Sequence, residues 1–102
     1  MSEWIDIAAA TDLPPGQRMH KDVQGVAIIV VNLNGELLAV EDVCTHDGTP
    51  LDEGEIIDTE IICPRHGARF CLRTGRALCP PAYEPIATFP VRVEAGRVQV
   101  QI

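Results

Sequence analysis

Apolar and polar positions along the chain change places over short distances, and no segment carries a sustained helical stripe. Trp4 to Ala9 reads as a first strand, and Leu13-Pro14-Pro15-Gly16 breaks it. Met19 to Val23 reads as a short strand. Val26 to Leu33 is a β-branched run of the kind that forms a strand buried on both faces. Asn34-Gly35 then supplies residues that tolerate positive φ at both central positions of a type I′ turn, so Glu36 to Glu41 should return antiparallel. Near the end, Pro90 to Glu94 and Arg97 to Ile102 alternate apolar with polar around Ala95-Gly96, the pattern of a half-buried second hairpin.

Short strands separated by Gly and Pro predict an all-β, antiparallel sandwich or small barrel. The chain has no repeat, low-complexity tract or linker. Residues 43–82 therefore read as an insertion of function within one domain spanning 1–102.

Composition sharpens this picture at two points. At 102 residues with 4% aromatic side chains, apolar burial alone gives modest stability, and four Cys and three His are the material for a staple. The net charge of −7 argues against nucleic acid and anionic membrane as partners. The N-terminal stretch carries acids where a secretory signal carries basic residues, and the apolar run Val26–Val31 falls far below the roughly 20 residues of a membrane span. A cytoplasmic location is expected, where cysteines serve more often as metal ligands or thiols than as disulfides.

The chemistry is concentrated in Cys44-Thr45-His46 and Cys63-Pro64-Arg65-His66, with sixteen residues between His46 and Cys63. Each half offers a thiolate and an imidazole on a tight loop, so two facing loops present two sulfur and two nitrogen ligands to a metal centre. Gly48 and Gly67 follow closely, and the missing Cβ lets backbone N–H groups approach an anionic sulfur. A disulfide framework has three possible connectivities, and structural zinc on Cys2His2 is the serious rival. Against zinc stands the β-rich context, since zinc fingers of that composition place their His pair on a helix.

This constellation resembles the Rieske family. The likeness continues through His66-Gly67-Ala68-Arg69-Phe70, Thr74-Gly75, the Pro80-Pro81 turn and Pro90-Val91-Arg92-Val93, and covers nearly the whole chain. The resemblance implies a Rieske fold with an inserted two-loop cluster-binding subdomain over about 43–82. It also implies a [2Fe–2S] cluster with Cys44 and Cys63 on the inner iron and His46 and His66 on the outer iron through Nδ1. Replacing two thiolates by neutral imidazoles makes reduction easier than in an all-Cys cluster, and Rieske centres as a class span roughly −150 to +300 mV. The high-potential branch has an extra Cys in each ligand loop and a hydroxyl residue after the second His-Gly. Thr49, Arg65 and Ala68 stand at those places here, so the lower half of the range is expected. Reduction adds negative charge beside the imidazoles, so the midpoint potential should become pH-dependent in the alkaline range.

Charge divides between the loops: eight acids and no Lys or Arg from Glu41 to Glu60, four Arg and no acid from Ile61 to Pro80. A solvated surface with weak Arg–carboxylate pairs is the plain expectation, and the sharper one is a positive rim of Arg65 and Arg69 beside His66 that docks an acidic patch on a redox partner. With Thr74-Gly75 as a two-residue hairpin turn, Cys71 faces Leu78 and Cys79 falls one register off, so both are expected as semi-buried free thiols. His20 reads as a polar strand residue, Trp4 and Phe89 as core or edge packing, and Tyr83 as packing beside the Pro turn.

No nucleophile–base pair, phosphate loop or substrate domain is present, so the chain is expected to carry electrons and not to be an enzyme. By resemblance it is a monomeric ferredoxin of bacterial aromatic-ring-hydroxylating dioxygenase systems, between a flavin-dependent NAD(P)H ferredoxin reductase and a terminal oxygenase. The small subunit of an assimilatory nitrite reductase and a zinc-stabilised interaction module are the alternatives.

Overall fold

A computed structural model of the protein describes residues 3–45 and 48–102. Among these, β1 (Trp4–Ala9) leads into a 3-10 turn over Ala10–Asp12. Next come β2 (Arg18–Val23), β3 (Val26–Leu33) and β4 (Glu36–Glu41). The middle of the chain holds β5 (Ile56–Ile57), β6 (Glu60–Ile62), β7 (Arg69–Cys71) and β8 (Ala77–Cys79). β9 (Thr88–Phe89), β10 (Val91–Glu94) and β11 (Arg97–Gln101) complete the set. They form three antiparallel sheets in the orders β1-β11-β10, β2-β3-β4-β9 and β5-β6-β7-β8. No sheet of the described residues closes into a barrel.

The β-branched run explains how the sheets stack. Side chains along a strand point alternately to its two faces. Ile28 and Val30 accordingly join one core cluster with Ile7, Leu13, Val98 and Val100, between the first sheet and the second. Ile29 and Val31 join another with Leu51, Ile61, Phe70 and Leu72 of the inserted region. β4 repeats the division, Ala39 on one side and Val40 on the other. β3 and β4 are thus buried on both faces, and each Ile or Val withdrawn from water contributes about 1.5–3 kcal/mol.

The turns follow the residues that permit them. Asn34 and Gly35 hold φ of 55° and 98° in the β3–β4 hairpin. Buried Asn32 donates to the Leu13 carbonyl (2.8 Å) and accepts from the Gly35 N–H (2.7 Å), tying that hairpin to the segment after β1. At the other edge the Arg97 guanidinium spans both oxygens of Asp6 and holds that carboxyl below the usual range, while Arg92 lies 4.3 Å above the Trp4 ring.

One predicted register is wrong. Thr74-Gly75 does not close a two-residue hairpin: Cys71 N–H donates to the Arg76 carbonyl (2.9 Å), so Leu72 to Gly75 form a four-residue loop. Phe70 then pairs with Ala77, and Arg69 pairs with Cys79 across a bulge. The four-residue loop leaves Leu72 buried among the inserted-region residues, which a two-residue turn at Thr74-Gly75 does not require.

Candidate metal centre

Cys44 lies just beyond β4 and Cys63 just beyond β6, each opening a tight turn. In the first, Cys44 N–H donates to Thr49 O (2.7 Å) and Gly48 N–H to Cys44 O (2.7 Å). In the second, Cys63 N–H donates to Ala68 O (2.7 Å) and Gly67 N–H to Cys63 O (3.0 Å). The two turns share one hydrogen-bond scheme, with glycine at φ of 79° and 74°. Among the described residues, no heavy atom stands within 4 Å of a Cβ built on either glycine. Positive φ thus gives Gly48 and Gly67 a conformational reason of their own, beside the close approach to a metal centre expected from the sequence.

Both cysteines are buried, at 0% and 1% exposure, and belong to one cluster with Leu51, Ala68, Phe70, Ala82 and Ile86. His66 is exposed at the surface end of the second turn. His46, the remaining predicted ligand, lies outside the described residues. None of the four cysteines forms a disulfide.

Three further contacts hold the loops together. Thr45 Oγ1 donates to the Glu84 carbonyl (2.6 Å), joining the first turn to the segment after Pro80-Pro81. The Cys79 thiol lies 3.6 Å from the Gly67 carbonyl, joining β8 to the second turn. Ala82 and Ile86, both 3% exposed, close the assembly from the side of the proline segment. Tyr83 between them is 79% exposed, which corrects its expected packing role.

The predicted charge division survives in part. Arg69 reaches Glu60 at 3.5 Å across β6 and β7, an exposed pair worth little. Arg73 instead bonds Glu36 on β4 (2.7 Å). Arg65 is exposed beside His66.

Cys71 begins a third turn of the same scheme: Cys71 N–H to Arg76 O, and Gly75 N–H to Cys71 O at 2.7 Å. Burial opposes ionisation of its thiol, but the Thr74 hydroxyl with the N–H groups of Thr74 and Arg73 outweighs it, so Cys71 sits below the ordinary cysteine value. Between the folded and ordinary values the unfolded chain binds the extra proton. The stabilisation is therefore complete above the ordinary value and lost as pH falls through the folded one. Iodoacetamide should label Cys71 of the folded, cluster-loaded protein at a lower pH than it labels the same cysteine in denatured chain. Peptide mass analysis showing the reverse order contradicts the assignment.

Three residues of consequence lie outside the predicted site: Arg18, His20, expected only as a polar strand residue, and Asp42. Asp42 Oδ1 accepts from Leu51 N–H (2.5 Å), and Oδ2 lies 2.5 Å from His20 Nδ1. Arg18 Nη1 donates to the carbonyls of Asp52 (2.9 Å) and Gly54 (2.5 Å). Nothing in their spacing announces these contacts, since 22 residues separate His20 from Asp42.

The donor set suits a cluster of iron and sulfide. Buried thiols in matched turns could supply soft anionic ligands away from water, and an exposed imidazole a neutral one at the rim. Such an arrangement suits a small iron–sulfur electron carrier. Comparison with known proteins agrees, because residues 3–90 match the Rieske [2Fe–2S] domain. The chain belongs to that family, its cofactor is a Rieske-type [2Fe–2S] cluster, and its work is electron transfer, not catalysis.

It is 36% identical over 100 residues to the ferredoxin component of the naphthalene 1,2-dioxygenase system of Pseudomonas aeruginosa, covering 98% of this chain and 96% of the relative. The structure of the ferredoxin of carbazole 1,9a-dioxygenase from Nocardioides aromaticivorans IC177 superposes with a TM-score of 0.89 at 30% identity, covering 95% of each chain. A chain in the complex of reduced oxygenase and oxidised ferredoxin of carbazole 1,9a-dioxygenase superposes with a TM-score of 0.87 at 34% identity, covering 95% of this chain and 91% of that one.

Proposed function

We propose that Cys44, Cys63, His46 and His66 hold the cluster and that the protein is a cytoplasmic ferredoxin carrying single electrons from a flavoprotein reductase to a terminal oxygenase. The observation that carries this reading is the matched pair of Cys-x-x-x-Gly turns, whose buried thiols meet in one core while His66 stands at the surface. The cluster supplies a site that accepts and releases one electron without bond making. The polypeptide keeps water from the cysteines, presents the histidine edge to a partner, and changes little in shape because both turns are closed by their own hydrogen bonds.

Arg65 beside His66 gives that edge a positive charge, which suits a partner with an acidic docking patch. Ala68, buried and without a hydroxyl, offers the cluster sulfurs no side-chain donor, in keeping with a potential in the lower half of the Rieske range.

The test is reconstitution. The purified protein should bleach on addition of a flavoprotein reductase with NADH, then regain its oxidised spectrum when an oxidised Rieske oxygenase is added. In the same assay, Arg65→Glu should slow transfer to the oxygenase and flatten its salt dependence. A protein that the reductase reduces but no oxygenase reoxidises contradicts the assignment of partner.

A further inference from the structure

The first ligand turn does not stand alone. Two side chains of one strand grip the segment that carries it. Arg18 and His20 are two residues apart on β2 and so point to the same face of the sheet. Each reaches the segment 42–54 by a different route: His20 through the Asp42 carboxylate, Arg18 through two backbone carbonyls. The segment is also pressed against β6, since a Cβ on Gly54 would lie 2.1 Å from the Ile62 carbonyl.

The Asp42 side chain is 1% exposed, against 39% for His20. A buried carboxylate is costly unless its oxygens are bonded, and both are: one by the Leu51 N–H, one by the imidazole. A carboxylate only accepts, so His20 Nδ1 carries the proton in this contact. The Asp52 carboxylate comes within 4.8 Å of both groups, but with both Asp42 oxygens in use the trio is better suited to fastening the chain than to binding an ion. Asp42 stands two residues before Cys44, and its bond to Leu51 closes the base of the turn segment.

We infer that His20, acting through Asp42 and assisted by Arg18, is a positioning residue for the cluster: it fixes the first ligand turn, and so sets how firmly and in what geometry the cluster is held. This rests on the proposed ligand set. The second turn lies between β6 and β7, whose sheet pairing supports both of its ends. The first turn follows β4 and is met by no strand of the described chain on its other side until β5, and the β2 clamp anchors that far side.

The test compares wild type with His20→Leu and His20→Asn, each purified with cluster. Leu fills the volume of the ring and donates nothing; Asn places an amide N–H where Nδ1–H stands. Chelator-driven bleaching of His20→Leu should run about tenfold faster than wild type, the loss expected when one charge-assisted hydrogen bond goes. The EPR spectrum of its reduced cluster should shift, while its far-ultraviolet circular dichroism at the assay temperature stays that of wild type. His20→Asn should restore both lifetime and spectrum.

If His20→Leu fails to fold, Arg18→Met, which keeps the apolar stem and loses both donors, should bleach faster in the same assay. Wild-type lifetime and spectrum in His20→Leu overturn the inference, as do equal losses in Leu and Asn, which would assign the effect to ring packing; in the Arg18→Met fallback, wild-type lifetime does the same. The ligand set is checked separately: His66→Ala that retains a wild-type cluster overturns that reading whatever the His20 variants do.

Discussion

Cys63→Ala should purify with its iron and sulfide close to zero per chain, against two of each for wild type, while Cys71→Ala and Cys79→Ala retain the full complement. All four cysteines lie within 36 residues, yet burial and turn geometry separate them. Cys44 and Cys63 open matched turns and share a dry core, whereas Cys71 and Cys79 are half exposed on β7 and β8. A thiolate lost from a site of few ligands removes both a bond and the charge that balances iron. The alanine at 63 leaves only a small cavity, so the β-sheet signal should persist. Metal and sulfide analysis beside circular dichroism checks both halves. Equal iron loss from Cys63→Ala and Cys71→Ala would refute the assignment of the pair.

Gly75→Ala is the second large effect, and it acts on the fold. Gly75 holds φ at 77°, and an added Cβ would meet the Ile86 carbonyl at 2.0 Å and the Thr88 methyl at 3.1 Å. The same Ile86 donates its N–H to the Gly75 carbonyl (2.8 Å), so the strand of chain that closes the site rests directly on this glycine. The left-handed conformation costs an L-residue about 1–2 kcal/mol. Displacing Ile86 adds about 1 kcal/mol for its hydrogen bond. With a total near 2–3 kcal/mol, the melting temperature should fall by about 10–20 °C. Gly67→Ala meets no described protein atom within 4 Å, so on the conformational cost alone the melting temperature should fall by about half as much. Thermal unfolding of the two variants side by side gives the comparison, and equal shifts would show that the Ile86 contact carries no weight.

How much of this was legible in the sequence depends on the kind of contact. Strand β3 was readable because eight consecutive residues carry the signal of a doubly buried strand, and Asn34-Gly35 fixes the turn by local chemistry. The two Cys-His motifs stand out because their spacing is local, and the structure places Cys44 and Cys63 in one buried cluster with His66 exposed. The loop within 71–79 departs from the two-residue turn that Thr74-Gly75 predicts, although Cys71-x-x-x-Gly75 repeats the spacing of Cys44 to Gly48 and of Cys63 to Gly67. That shared spacing was the available signal for a longer loop. Tyr83 was misplaced because an aromatic beside prolines reads as packing, while its exposure follows from Ala82 and Ile86 taking the inward positions. His20 and Asp42 offer no signal: His20 is an ordinary polar residue within β2 and Asp42 one just past β4 until the fold sets them 2.5 Å apart.

Ligation by two cysteines and two histidines is read out by pulsed EPR of the reduced protein prepared with 15N-labelled histidine. Couplings from two histidine nitrogens are expected, of which His66→Ala removes one or abolishes the cluster altogether. A reduced cluster with no histidine coupling, as four thiolates would give, contradicts it.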